Sequence, residues 1–153
     1  MSPLFSIKPE AVAIIDASDK HAILEHLSQA FAESYGLDAG EVLDLLDERE
    51  RLGSTGFGRG VAIPHARIGG LQRPVAVLLK LRQPADFASA DGLPVDLVFG
   101  LLSPENSGAT HLHALAAISR LMRDDRVHEA LSDAPDTEAL YGLLTNATDR
   151  DAA

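Results

Sequence analysis

The spacing of apolar positions changes several times along the chain, and each change marks an element. Residues 11–15 (Ala-Val-Ala-Ile-Ile) form a short unbroken apolar run, the pattern of a strand or a buried connection. From residue 18 the period becomes helical. Ile23, Leu24, Leu27 and Phe31 fall on one stripe, Ser18 or Asp19 is placed to cap its start, and Gly36 is placed to stop it. A second helix is predicted from about Ala39 to Arg51, with Val42, Leu43 and Leu46 inward, Asp47 and Arg51 outward at i,i+4, and Gly53 at its end. After the glycine-rich segment 53–60, Val61 to Ile63 reads as a short strand. Pro64 cannot donate to a ladder, so pairing is expected to stop there and leave His65 at the strand's exit. Val75 to Leu81 and Val95 to Leu102 show little alternation, as expected for strands covered on both faces. Gly69-Gly70 reads as a loop, Gln83-Pro84 and Asp91-Gly92 read as turns, and 103–109 reads as a polar loop. Helical patterns follow over 110–123, about 125–131 and about 136–144.

Helices, then a cluster of short strands, then more helices predict the α/β class: a single-domain sandwich with a central sheet flanked by helices on both faces. The strand order does not follow from the pattern. The chain has 153 residues, 46% of them hydrophobic, enough for one substantial core without disulfides or metals. There are no cysteines, which excludes disulfide frameworks, cysteine-based zinc sites and thiol catalysis, and fits a reducing compartment, by default the cytoplasm. The apolar runs are far shorter than the about 20 residues a membrane span needs. The segment before Ala11 lacks the basic start and small-residue cleavage site of a secretory signal, so a soluble protein with no membrane insertion is expected. Thirteen basic residues against twenty-three acidic give a formal charge of -10, which repels a phosphate backbone; nucleic acid is not an expected partner.

The histidines carry the chemistry. In Thr110-His111-Leu112-His113 the two imidazoles would share one face of a strand and suggest a metal, but Leu115, Ile118 and Met122 put His111 on the apolar stripe of a helix. His113 is then turned away by about 200°, at 3.6 residues per turn. His111 stands in the first turn, with Thr110 or Ser107 as cap, where free backbone N–H groups and the helix dipole attract anions. If His65 leaves its strand on the same side, two histidines converge, and the chemistry they suit is phosphoryl transfer through a phosphohistidine. Ser54, Thr55 and Gly56 are candidates for a loop that holds the phosphoryl oxygens, through hydroxyls and closely approaching backbone N–H groups. The segment Gly53-Ser54-Thr55-Gly56-Phe57-Gly58-Arg59-Gly60 is neither a Walker A loop nor a dinucleotide fingerprint. No nucleotide, metal or other cofactor is expected, and the phosphoryl group should arrive on another protein.

Arg49-Glu50, Gly53-Ser54-Thr55-Gly56-Phe57-Gly58, Gly60-Val61-Ala62-Ile63-Pro64-His65, Pro94-Val95-Asp96-Leu97-Val98-Phe99 and Thr110-His111-Leu112-His113 occur in an order and spacing that resemble the type-2 enzyme IIA domain of the bacterial phosphotransferase system, the mannitol/fructose and nitrogen-regulatory class. The resemblance covers about residues 10–145 of a domain taken as 1–153. It implies a compact mixed sheet flanked by helices. It also implies a phosphohistidine at His65, linked through Nε2 and received from HPr or its nitrogen-branch counterpart, with His111 as second active-site histidine and Arg49 as the positive group near the phosphoryl. Arg59 stands where the family commonly carries a small polar residue such as asparagine, and Arg67 where glycine or lysine is commoner. His21, His26 and His128 read as helix-surface residues, and Phe57 as a core anchor or a docking aromatic.

Three functions are weighed. The first is a nitrogen-regulatory IIA protein that binds targets according to its phosphorylation state, favoured by a chain with no membrane segment and no fused permease. The second is a sugar-specific IIA component that passes its phosphoryl group to a IIB protein. The third, of another class, is a metal-dependent hydrolase with His65, His111 and His113 as ligands, which lacks an HExxH arrangement.

Overall fold

A computed structural model describes residues 4–152, with the backbone alone for 150–152; residues 1–3 and 153 of the domain taken as 1–153 lie outside the described residues. After a single 3-10 turn at Pro9–Ala11 come β1 (Val12–Ile15), α1 (Lys20–Tyr35) and α2 (Ala39–Arg51), followed by the strands β2 (Gly56–Gly58), β3 (Val61–Ala62), β4 (His65–Ile68), β5 (Val75–Ala85) and β6 (Val95–Pro104), and then α3 (Ala109–Arg123), α4 (Asp125–Asp133) and α5 (Thr137–Ala152). The two N-terminal helices are bounded by local chemistry. Asp19 Oδ1 accepts from the Ala22 N–H at 2.8 Å, Asp38 Oδ1 accepts from the Glu41 N–H at 3.0 Å, and Gly36 closes α1 in the left-handed region at φ 70°.

The described strands form one six-stranded mixed sheet in the order β1-β5-β6-β3-β2, with β4 also on β6. β5 and β6 run antiparallel through its centre, and β1 lies parallel to β5. Each face carries a helical layer, as the unbroken apolar runs predict. On one face α1 and α2 bring Ile23, Leu27, Phe31, Val42 and Leu46 onto Val77, Leu79, Val98 and Leu102. On the other, α3, α4 and α5 bring Ala114, Ile118, Leu131, Leu140 and Leu144 onto Leu78, Leu97, Phe99 and Leu101. Gly100 sets how closely α1 approaches β6, because a Cβ there would stand 2.7 Å from Leu27 Cδ1 and 2.9 Å from Phe31 Cε2.

The strands correct the sequence reading in four places. Pro64 interrupts the strand beside β6 without ending it. β3 pairs with Leu97 and Val98 of β6, the Pro64 carbonyl accepts from the Leu101 N–H at 3.0 Å, and β4 resumes the same parallel ladder with His65 opposite Leu101. The proline lacks a donor, but its carbonyl keeps the strand in place. The glycine-rich segment, read as a loop, forms β2 and folds back on β3 through a two-residue turn in which Arg59 and Gly60 both have positive φ, 60° and 82°. Those angles are the signature of a type I′ hairpin, a turn that favours asparagine first and glycine second. Gln83-Pro84 lies inside β5 beyond Leu81, the last residue paired with β1, so the proline costs no ladder bond on that side. Finally, β6 continues through Ser103 and Pro104, which were expected in a loop.

Candidate active site

β4 begins at His65, and the parallel ladder to β6 holds its backbone. The ring turns back over the Pro64 interruption, so that Nδ1 meets the Ile63 carbonyl at 2.7 Å. A carbonyl only accepts, so Nδ1 bears the proton and Nε2 keeps its lone pair. Arg49, in the last turn of α2, points Nε–H at that nitrogen from 3.3 Å while its Nη1 donates to the Gly53 carbonyl at 2.9 Å. His65 is thus held in one tautomer, with the Nε2 electron pair accepting from a guanidinium. Burial pushes its pKa down, the Ile63 carbonyl opposes that, and the nearby Arg49 charge reinforces it. The ring is neutral at pH 7 and keeps its electron pair on Nε2.

His111 lies in the first turn of α3, on the helix's inward face, only 6% exposed. Its ring centre is 5.6 Å from that of His65. Burial, then the cost of placing a second charge beside the His65 ring and the Arg67 guanidinium, push its pKa down to about 4, so it too is neutral. Nδ1 of His111 lies 2.6 Å from the hydroxyl of Ser103. The residue before the helix is Gly108, with no side-chain cap, so neither Thr110 nor Ser107 caps α3 as expected. Arg67, exposed on β4, donates to the Gly108 carbonyl at 3.2 Å and places a positive charge at the start of that helix.

Glu50, the neighbour of Arg49, is the buried anchor of this end of α2. Its carboxylate pairs with Lys20 at 2.8 Å, accepts from the Thr55 N–H at 3.0 Å, and receives the Thr55 hydroxyl in a short bond. Ser54 Oγ donates to the Phe87 carbonyl at 2.8 Å and accepts from the Gly56 N–H at 3.1 Å. The hydroxyls of Ser54 and Thr55 and the N–H of Gly56 are therefore engaged inside the loop they shape. Gly56 also fits closely, since a Cβ there would meet Ser89 Oγ at 2.5 Å.

His65, His111 and Arg49 thus come together, and His113 does not join them. It is exposed on α3, and among the described residues no three His, Cys, Asp or Glu side chains come close enough to share a metal ion. His21 and His26 are exposed as expected, whereas His128 is half-buried and bonded through Nε2 to Asp96 Oδ1 at 3.0 Å. Phe57 packs half-buried against the α3–α5 core, with the Arg123 guanidinium 6.0 Å above its ring. The sequence reading missed Ser103 and the anchoring role of Glu50. The signal for Ser103 was its register, because Leu97, Phe99, Leu101 and Ser103 share one face of β6.

The family model for the phosphoenolpyruvate-dependent sugar phosphotransferase system, EIIA 2, matches residues 6–147. The chain belongs to this EIIA family. The match extends slightly beyond the 10–145 expected from the motifs. A nitrogen regulatory protein of Bradyrhizobium diazoefficiens is 42% identical to this EIIA domain over 139 residues, which is 90% of this chain and 91% of that protein. The crystal structure of the nitrogen regulatory protein IIA-Ntr from Neisseria meningitidis superposes with a TM-score of 0.82 at 31% identity, covering 90% of this chain and 95% of that one. Escherichia coli enzyme IIA-Mtl, solved in complex with phosphorylated enzyme IIB-Mtl, superposes with a TM-score of 0.74 over 93% of this chain and 99% of that one; at 17% identity the likeness is one of fold. Among the described residues no helix is long and apolar enough to cross a membrane.

Proposed function

We propose that this EIIA domain is a phosphohistidine carrier of the nitrogen-regulatory type, working in the cytoplasm, that accepts a phosphoryl group at His65 Nε2 from an HPr-like protein and binds regulated targets according to its phosphorylation state. One observation carries the reading: Nδ1 of His65 is committed to the Ile63 carbonyl, so Nε2 alone is left as a nucleophile, with Arg49 and His111 beside it. In the transfer, the donor's N–P bond breaks as the Nε2–P bond forms, and the electron pair of the broken bond returns to the donor's ring. His65 becomes an imidazolium whose proton stays on Nδ1, donated to the Ile63 carbonyl. The positive ring keeps the phosphoryl group ready to leave for the next protein. Arg49 supplies charge to the phosphoryl oxygens, and His111 a hydrogen bond.

The nitrogen-regulatory assignment draws on the 42% identity to a protein of that name. A sugar-specific role is the second reading, supported by the fold shared with a IIA protein solved on a phosphorylated IIB partner. Incubation with phosphoenolpyruvate and the general phosphotransferase proteins should put acid-labile phosphate on the wild-type chain, mapped by mass spectrometry to His65. His65→Ala should take up none while keeping its circular dichroism spectrum. Full labelling of that variant would refute the nucleophile, and efficient chase of the label onto a fructose- or mannitol-specific IIB protein would favour the sugar-specific role.

A further inference from the structure

We propose that Ser103 is a positioning residue for phosphoryl transfer: its hydroxyl donates to Nδ1 of His111 and so keeps that ring's proton on Nε2, the nitrogen left free to bond a phosphoryl oxygen on His65. The inference rests on the reading of His65 as phosphoryl acceptor and assigns the part of the site that decides which way its second histidine hydrogen-bonds.

The argument begins with the strand. On the face of β6 covered by α3–α5, the successive residues Leu97, Phe99 and Leu101 are all apolar and fully buried, and Ser103 follows them in register, also fully buried. A buried hydroxyl loses its water and needs a partner, so an apolar residue would be the less costly occupant. Ser103 has one partner among the described residues, His111 Nδ1 at 2.6 Å. A serine hydroxyl can donate or accept. Were it to accept from an Nδ1–H, its own proton would be left buried without an acceptor. The arrangement that satisfies both groups has Ser103 O–H donating to the Nδ1 lone pair, which places the ring proton of the neutral imidazole on Nε2.

That tautomer is the useful one. The phosphoryl group on His65 presents only acceptor oxygens, and a His111 turned to the opposite tautomer would offer them a lone pair. The ring centres are 5.6 Å apart, so a phosphoryl group on His65 would lie beside His111. Ser103 is also tied to the nucleophile through the backbone: it lies opposite Arg67 in the β4–β6 ladder, two residues after Leu101 opposite His65. One strand therefore sets the position of both rings, His65 by pairing and His111 by this hydroxyl.

The test is 15N NMR of the histidine rings, joined to transfer kinetics from a phosphorylated HPr-like donor. In the wild-type protein the His111 shifts should report a proton on Nε2 and a bare Nδ1, and those of His65 the reverse. Ser103→Ala should lower the transfer rate about tenfold or more, the usual scale for loss of a group that orients a functional histidine. It should also turn the His111 shifts toward a mixture of tautomers. Ser103→Thr, which keeps the hydroxyl, should recover both the rate and the Nε2–H signature. A wild-type His111 protonated on Nδ1, or wild-type transfer by Ser103→Ala, would overturn the role of Ser103 while leaving labelled His65 intact. No label on wild-type His65 would overturn the functional reading itself, and this role with it. The wild-type spectrum decides the tautomer even if the alanine variant fails to fold.

Discussion

His111 is a neutral imidazole held where a charge is disfavoured, and this has a measurable consequence. Its pKa is about 4 in the folded chain against an ordinary value of 6.5. Between those values the unfolded chain binds the proton and the folded one does not, so stability falls as pH drops from about 6.5 to about 4 and then levels. The loss from this one group is on the order of 3 kcal/mol. His111→Asn should show a flatter decline of urea midpoint over that window than the wild-type protein; parallel curves would contradict a buried neutral ring. Glu50 makes a second prediction. Glu50→Ala leaves Lys20 beside an empty site and strips Thr55 of two partners. It should cost about 2–4 kcal/mol in chemical denaturation, the scale for removing one member of a buried ion pair and reduced because Lys20 is partly exposed. Two side chains of the site were legible in the residues themselves, His65 after Ile-Pro and His111 at the head of a helical stripe, whereas Arg49 was picked out only by the resemblance that Arg49-Glu50 helps to carry. Ser103 was not, because Ser103-Pro104-Glu105-Asn106-Ser107-Gly108 has the composition of a loop. Its place in a strand comes from a ladder partner more than thirty residues earlier in the chain, and its burial from the helix that follows.

At the scale of elements, helices and strands differed in how well the chain announced them. The bounds of α1 and α2 follow from Asp19, Gly36 and Asp38, which act on backbone groups within a few residues. β2 and β4 are three and four residues long and owe their existence to partners elsewhere, so nothing inside Gly56–Gly58 distinguishes a strand from a glycine loop. The β2–β3 hairpin sets an unusual backbone conformation at its turn. Arg59 occupies the left-handed region at φ 60°, where a long L side chain is strained, and it is held there by Asp91, which accepts its N–H at 2.9 Å, and by an ion pair with Asp125 at 2.8 Å. Asparagine adopts this conformation more readily, and an exposed ion pair contributes little. Arg59→Asn is therefore expected to raise stability by up to about 1 kcal/mol. A clear fall in the thermal midpoint would show instead that the Asp125 contact outweighs the backbone strain.

For the molecule as a whole, the site draws on both helical layers. Arg49 comes from α2 on one face of the sheet, His111 from α3 on the other, and His65 from the edge strand between them. Neither layer holds the arrangement alone. Phosphoryl uptake should accordingly vanish along the same urea curve as the far-ultraviolet circular dichroism signal, with coincident midpoints. Labelling that outlasted the loss of helix would mean that half the sandwich suffices. The chain's formal charge of -10 surrounds a site edged by Arg49 and Arg67, so the positive field is local.

The Ile63 carbonyl and the Arg49 guanidinium grip the His65 ring on both sides, and the ladder on β6 holds its backbone. A ring so clamped has no swing of its own with which to meet a visitor. On the proposed function, whatever mobility the exchange requires is brought by the incoming protein, and giver and receiver come along the same line of approach. They then take turns at one berth, and the time each spends there limits how quickly the next is served.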